Sequence, residues 1–339
     1  MSYQKFLNLF REKNVFNAVV LIGLIFLVVI LSLSRGSVEL SNEEILKAFL
    51  RHGDITNQVI FWELRLPRLI ASLLVGSALG MSGALLQGML RNGLASPYLL
   101  GISAGSGLVI VLLISLGLWL SWIPIAAWIG AIFTTLIVYF LAKSGTSISV
   151  ERLILAGVAL SSLFGSIQSM LLLQTEDGRV QAALTWLIGS LNSRGWAEIK
   201  LAGPPIVFAL VMGLLLSKQL NLLGLGDELS VGLGNSLFRS RCLIGASATL
   251  LAASSVSVGG LIGFVGLIVP HATRFLFGAD YRVVLPFSAL LGAFTLSAAD
   301  LIARSGSIEL PVGIITSLLG APIFIFLLYR RQKTLTSLR

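Results

Sequence analysis

Long apolar runs, separated by short polar or charged segments, dominate the pattern of this chain. An α-helix needs about 20 mostly apolar residues to cross a bilayer, so the pattern predicts ten spans in an all-α multispan membrane protein. The predicted spans are Val15–Leu33, Leu69–Leu90, Leu99–Gly117, Ile123–Leu141, Leu153–Leu173, Leu201–Leu216, Cys242–Val258, Leu267–Phe277, Val283–Ile302 and Val312–Tyr329. No second, soluble domain is visible, so residues 1–339 are predicted to form one transmembrane domain.

The eighth predicted span is too short to cross a membrane alone. Four glycines precede this span and predict irregular backbone inside the membrane: Gly259, Gly260, Gly263 and Gly266. Such backbone is tolerated in a bilayer only where protein or water covers its polar groups. Two pairs with small-xxx-small spacing, Gly76 with Gly80 and Gly101 with Gly105, are interpreted as helix-packing contacts.

The polar interruptions between spans also predict structure. Ser41 and Glu44 have capping-box spacing, which predicts a short amphipathic helix. After the fifth span, an apolar helical face that suits the membrane interface comprises Val180, Leu184, Leu187, Ile188 and Leu191. The segment 221–241 is predicted to hold two short helices, because Asp227 can cap a helix start and the following glycines can end it, Gly232 and Gly234.

Composition and charge agree with a membrane protein. Hydrophobic residues make up 56% of the chain, charged residues 12%, and the mean hydropathy is +0.94, whereas soluble domains carry about 25% charged residues. The net charge of +9 could indicate nucleic acid, but the ten-span topology places fifteen of the 24 Lys and Arg residues on cytoplasmic segments. This positive-inside distribution predicts no nucleic-acid partner, with the termini 1–14 and 330–339 in the cytoplasm.

The chain lacks the residues for several kinds of chemistry. One cysteine, Cys242, and two histidines, His52 and His271, are too few for a disulfide, a thiolate cluster or a histidine-rich metal site. A packing or hydrogen-bonding role is favoured for His271 over a haem-ligand role. No G-K-S/T motif occurs, so the chain has no Walker A phosphate cradle, and any ATPase is expected on a separate subunit. We therefore predict no catalytic residue, resident metal or cofactor.

Particular residues of the chain bear on two other functional classes. Gly101–Gly105 matches the G-x-S-x-G nucleophile pattern around Ser103, which with His271 would suggest an intramembrane serine protease, but the strand-to-helix context is missing. A proton-coupled secondary transporter usually needs ionisable groups deep in the bilayer. The obvious acids, Asp300 and Glu309, are predicted near one membrane edge, which argues against that mechanism.

The most specific motifs surround the second and eighth spans. Arg65 and Arg68 flank Pro67 before an uncharged run, and RNGLASP, Arg91–Pro97, breaks the helix after it. Together with Ser257–Arg282, this segment resembles the signature of FecCD-type permeases, which serve importers of iron–siderophores and vitamin B12. The resemblance extends from about Gly36 to the C-terminus.

The resemblance implies a type II ABC importer permease in a bacterial plasma membrane. Its expected partners are a dimer of ABC ATPase subunits, a second permease that is identical or related, and an extracytoplasmic substrate-binding protein. The expected cargo is a ferric siderophore, with haem and cobalamin as alternatives.

The resemblance also implies two sites at the cytoplasmic face. A coupling loop for the ATPase, about residues 218–241, would use Leu225, Gly226, Asp227, Leu229, Leu233 and Gly234; the alternative is a solvated loop with a membrane-facing stripe. A gate would be formed by Asn92, Leu94, Val150 and Glu151, although Gly93 stands where the family usually has proline. The alternative for Asn92 and Leu94 is an ordinary helix-ending turn.

On the outer face, the resemblance implies that Arg65, Arg68 and Arg304 dock the binding protein by meeting its glutamates. Guanidinium groups suit this role because they stay charged and can grip a carboxylate through two hydrogen bonds. Two alternatives remain open. The arginines could anchor span ends to lipid phosphates, or Arg304 could pair with Asp300, four residues before it on one helix face.

Overall fold

The computed structural model describes residues 3–36, 38, 40–98, 100–118, 122–144, 147–306 and 308–336. Leu99, the predicted start of the third span, lies outside these residues, as do the outermost residues of both termini. Helices form nearly all of the described chain. In order they are α1 (Tyr3–Ser34), α2 (Asn42–Phe49), α3 (Ile55–Val59), α4 (Leu66–Leu90), α5 (Ile102–Ser115), α6 (Ile123–Ala142), α7 (Val150–Leu173), α8 (Asp177–Ile188), α9 (Trp196–Leu215), α10 (Ser217–Gly224), α11 (Asp227–Gly232), α12 (Leu237–Gly259), α13 (Val265–Phe277), α14 (Tyr281–Ala303) and α15 (Val312–Thr336).

The described residues contain seven helical stretches long and apolar enough to span a membrane. Three shorter apolar stretches occupy the other predicted positions: α5, α13 and the Val312–Phe326 part of α15. The all-α multispan prediction is therefore confirmed. Between α6 and α7, the strands β1 (Lys143–Ser144) and β2 (Ser147–Ile148) form a minimal antiparallel hairpin. The helix α5 is shorter than predicted, because its chain turns through Gly101, whose φ is 72°, before the first helical residue.

The helical path into α4 begins well before the predicted Leu69, because α3 runs into a π-helical segment, Ile60–Arg65, and then into α4. Pro67 is the physical reason for the wider turn. Proline has no N–H and its ring clashes with the carbonyl four residues earlier. The Leu66 N–H accordingly bonds to the Phe61 carbonyl, five residues back, which relieves the crowding without ending the helix.

The helices α4 and α12 form the centre of the bundle, and most of each is buried. Close backbone contact explains the glycines of α4. A Cβ at Gly76 would lie 2.3 Å from the carbonyl oxygen of Gly292 in α14, and one at Gly80 would lie 2.2 Å from that of Ser288. The predicted packing role of this glycine pair is confirmed.

The predicted irregular backbone between α12 and α13 is present and is covered by protein. Gly260 and Phe264 adopt positive φ values of 69° and 65°. Its polar groups bond to the last turn of α8 and to the chain directly after it. The Leu261 N–H donates to the Trp186 carbonyl at 3.1 Å, and the Ser190 N–H donates to the Gly259 carbonyl at 2.9 Å. This pairing lets non-helical backbone exist at membrane depth.

Two predicted helices outside the spans are also present. The Ser41–Glu44 capping box begins α2, and hydrogen bonds from the Ser41 N–H and hydroxyl, both 2.8 Å, lower the pKa of Glu44. The predicted interfacial helix is α8, whose Ala183 is buried against α5. Below, the Arg65 end is the end of the bundle where α4 begins, and the Arg91 end is where α4 ends.

Candidate functional sites at the two ends of the bundle

The Arg65 end holds a buried ion-pair network around Asp300, which is only 2% exposed. Arg68 donates through Nε and Nη2 to the Asp300 carboxylate, with a shortest distance of 2.8 Å. Its Nη1 lies 2.5 Å from Oε1 of Glu309, in the chain before α15. Arg304 lies 3.6 Å from Asp300 and donates to the Ser32 carbonyl at 2.9 Å. The structure therefore contains the Asp300–Arg304 pair that the sequence left open.

Arg65 has a different environment from the other two arginines. Its guanidinium donates to the carbonyls of Leu33 and Ser34 at 2.6 and 2.9 Å, and also to the Val38 carbonyl. Leu33 and Ser34 are the last residues of α1, whose final carbonyls have no partner within the helix. Arg65 thus caps the C-terminus of α1, with 5% of its surface exposed.

The three predicted arginines line one cavity of about 530 Å³, together with Glu63 and Glu309. Sequence reasoning missed a fourth arginine in the wall of this cavity, Arg194. Its guanidinium lies 4.5 Å from the ring centre of Trp186, and burial lowers its pKa against the opposing effect of Glu198. The available signal was weak, because Arg194 follows a predicted surface helix and belongs to no motif.

At the Arg91 end, α10 and α11 are the two short helices predicted for the coupling segment. Gly226 and Gly234 have φ values of 105° and 82°, which a glycine adopts easily. Three leucines project outward with exposed fractions of 54%, 62% and 62%: Leu225, Leu229 and Leu233. They form an exposed apolar surface, here called the leucine stripe. Behind it, Asn221 ties α10 to α14 by donating to the Asp280 carboxylate at 2.7 Å.

The predicted cap at Asp227 is wrong in detail. Gly226 occupies the N-cap position of α11, and Asp227 is the first helical residue. Its carboxylate instead faces two guanidinium groups, those of Arg241 at 2.9 Å and Arg91 at 3.2 Å. Each guanidinium carries a full positive charge, whereas a backbone N–H carries only a partial one, so the two arginines attract the carboxylate more strongly.

The chain after α4 forms a tight turn at the predicted gate. Arg91 ends α4 in the left-handed conformation, and Asn92 Oδ1 accepts a 2.9 Å hydrogen bond from the Leu94 N–H. Leu94 is 43% exposed. A Cβ at Gly93 would lie 2.7 Å from Cε1 of His271 on α13. The imidazole therefore packs on Gly93, which explains the absence of a larger residue there.

The other predicted gate residues, Val150 and Glu151, are the first two residues of α7. The hairpin carries the chain to them from α6, whose Tyr139 hydroxyl donates to the Arg241 carbonyl at 3.3 Å. Val150 and Glu151 consequently lie at the same end as Asn92 and Leu94 but on a separate element.

A second cavity, of about 580 Å³, lies between the turn before α5, the irregular segment before α13, and α15. None of the described residues that line it is charged; its polar side chains are Ser96, Tyr98, Ser103 and Ser317. Ser103 lies in the first turn of α5, and the described residues before it form turns. The strand that a nucleophile elbow requires does not precede it there.

These features define an α-helical, multispan integral membrane protein. The sequence profile described as the FecCD transport family matches residues 24–330. The chain belongs to this family, as its motifs indicated.

Relatives and a solved structure agree with this assignment. The cobalamin import permease BtuC of Halobacterium salinarum is 40% identical, over 82% of this chain and 75% of its own length. The probable siderophore permease YfhA of Bacillus subtilis is 36% identical over 93% and 94%. A structure described as a metal-chelate type ABC transporter in an inward-facing conformation is 32% identical and covers 91% of this chain and 97% of its own, with a TM-score of 0.83. The chain is an ABC importer permease.

Proposed function

We propose that this chain is the transmembrane subunit through which an ATP-driven importer carries a ferric siderophore. The observation that carries the proposal is the leucine stripe on α10 and α11, in a chain of the FecCD family. Leucines exposed together at the end of a bundle mark a surface that another protein covers. An ABC ATPase subunit dimer is the partner that this family's mechanism requires, and Leu225, Leu229 and Leu233 would fill a groove on it.

The same proposal assigns the rest of the assembly. The Arg91 end, with both termini, faces the cytoplasm of a bacterial cell, and the Arg65 end faces the substrate-binding protein. A second permease, identical or related, completes the pathway. Alternating access would open and close a gate formed by Asn92, Leu94, Val150 and Glu151.

Docking at the Arg65 end would exchange one carboxylate for another. Arg68, Arg304 and Arg65 all have internal partners, but Glu309 is 35% exposed and is the least buried acid that pairs with Arg68. A glutamate from the binding protein would displace Glu309 from Arg68. Arg65 and Arg304 would contribute positive potential rather than direct contacts, because both are more deeply buried. Such pairs mainly orient and accelerate encounter, so salt would weaken docking.

Siderophore cargo is supported by the near full-length match to YfhA. Cobalamin is the second candidate, supported by the BtuC relative, and haem is the third, since the hemin permease HmuU of Yersinia pestis is also a relative. The cavity beside α5 has no charged residue among its described lining, so it would bind a bulky chelate only weakly and would suit any of the three cargoes.

Transport by purified complexes in lipid vesicles tests this proposal. The permease, its ATPase and its binding protein would be reconstituted together, and uptake of a ferric hydroxamate, cobalamin and haem would be measured with and without ATP. We expect ATP-dependent uptake of the ferric hydroxamate. Uptake of cobalamin or haem alone would contradict the cargo, and uptake driven only by a pH gradient would contradict the ATP-driven mechanism.

A further inference from the structure

The carboxylate of Asp227 joins two guanidinium groups that belong to different helices. Arg241 Nη2 lies 2.9 and 3.0 Å from its two oxygens, and Arg91 Nη2 lies 3.2 Å from Oδ1. The side chains of Asp227 and Arg91 are 38% and 42% exposed, whereas that of Arg241 is 5% exposed. One carboxylate on α11 therefore connects the end of α4 with the beginning of α12.

Each arginine lies at one end of a central helix, α4 or α12. Arg91 is the C-cap residue directly after α4, with φ of 49°, and the proposed gate residues Asn92 and Leu94 follow it. Arg241 lies near the start of α12, the other mostly buried helix of the bundle. One side chain of α11 therefore contacts residues at the ends of both central helices.

Packing beside this link limits independent movement of α10 and α11 relative to α4. A Cβ at Gly226 would lie 3.6 Å from Nη1 of Arg91, and one at Gly88 of α4 would lie 2.7 Å from a methyl group of Leu220. Leu220 is itself fully buried. The leucine stripe therefore lies on the outer side of a platform whose inner side rests on α4.

We propose that Asp227 is a positioning residue, which transmits movement of the leucine stripe to the gate by holding Arg91 and Arg241. This inference rests on the proposed function, because the ATPase supplies the movement. Arg241 holds the carboxylate in place, since a buried guanidinium needs a counter-charge. The half-exposed pair with Arg91 is weaker, so it can break and re-form as the gate moves. Asp227 accordingly contacts its own chain rather than the ATPase.

Asp227→Asn tests the link, because it removes the charge and keeps the shape. In vesicles with the ATPase and binding protein, we expect the variant to assemble and hydrolyse ATP while the cargo carried per ATP falls at least about five-fold, the lower range of allosteric coupling. A cysteine placed by Leu94→Cys, with Cys242→Ser, reports the gate through its labelling with and without ATP. Its ATP-dependent change should be lost in Asp227→Asn.

Glu228→Gln is the matched control, since it removes the same charge from the neighbouring, exposed position. Arg91→Gln breaks only the outer pair, so it also tests the link if Asp227→Asn fails to fold. If the two residues act through the same pair, the double variant should be no worse than Asp227→Asn alone. Unchanged cargo per ATP in Arg91→Gln and Asp227→Asn would overturn the link alone, whereas a wild-type complex without ATP-dependent uptake would overturn the proposed function.

Discussion

Glycines on α4 bring neighbouring backbones closer together than a side chain would allow. Gly76→Ala would place its Cβ 2.3 Å from the backbone oxygen of Gly292, which has no rotamer to change. We expect the variant to lose about 1–3 kcal/mol of stability, as in an overpacked core. Thermal unfolding in detergent would measure this loss.

Gly23→Ala is the control for that experiment. Gly23 lies on α1, and apart from its chain neighbours and the adjacent backbone of α1, no atom lies within 4 Å of a Cβ built there. The stability of the Gly23→Ala variant should stay unchanged or rise slightly, because alanine has a higher helix propensity than glycine. Equal melting temperatures for the two variants would show that α4 and α14 can separate without cost.

A second test concerns Arg65. Its docking role needs only the positive charge, whereas its capping role also needs the planar guanidinium group. Arg65→Lys keeps the charge but loses the planar group that reaches three carbonyls. We expect a loss of about 1–3 kcal/mol in stability, since the buried carbonyls at the end of α1 lose a charged donor. Thermal unfolding would show the loss, and an unaffected melting temperature would contradict the capping role.

The charge of Arg65 at the mouth of a span could be predicted from the sequence, but its partners could not. The carbonyls of Leu33, Ser34 and Val38 are backbone atoms on another segment, and no sequence pattern marks a carbonyl that lacks a partner. The same limit applies to Asp227. Its spacing suggested a helix cap, whereas its contacts are set by how α4 and α12 meet.

At the scale of secondary-structure elements, α10 and α11 present the leucine stripe, the surface proposed to contact the ATPase. Leu229→Asp would put a charge in the middle of the leucine stripe, and we expect it to abolish association with the ATPase while the permease still folds. Co-purification with the ATPase subunit measures this. Leu50→Asp, at the Arg65 end with a similar exposure of 56%, is the control and should co-purify normally.

Element types followed well from the hydrophobic pattern, and element ends did not. The pattern predicted the start of the second span at Leu69, where the charges stop, but the helical path continues through Arg68 and Arg65 to α3. The helix can hold Arg68 because a buried acid, Asp300, pairs with it, and that acid is 232 residues away in the chain. Single-sequence patterns carry no record of such a pairing.

At the scale of the whole molecule, we expect the charge network of the Arg65 end to set the affinity for the substrate-binding protein. Glu309→Gln would remove the exposed competitor from Arg68 while Asp300 still holds it. We expect tighter capture of the binding protein at low salt, measured by surface-immobilised complexes, with the difference shrinking as salt rises. Glu63→Gln, in the same cavity wall, is the control; weaker capture by Glu309→Gln would contradict the exchange of carboxylates.

The backbone at the end of α8 has hydrogen-bond partners that are synthesised later than it is. The Gly189 carbonyl, which follows α8, accepts a 3.0 Å hydrogen bond from the N–H of Gly313, at the start of the last helix. During synthesis, this carbonyl must wait for Gly313, and the Trp186 carbonyl and the Ser190 N–H must wait for Leu261 and Gly259, all made much later. Because unpaired backbone is costly in lipid, a nascent chain that ends before α15 would leave this region open to water, chaperones or proteases. The bundle closes only when its last span arrives.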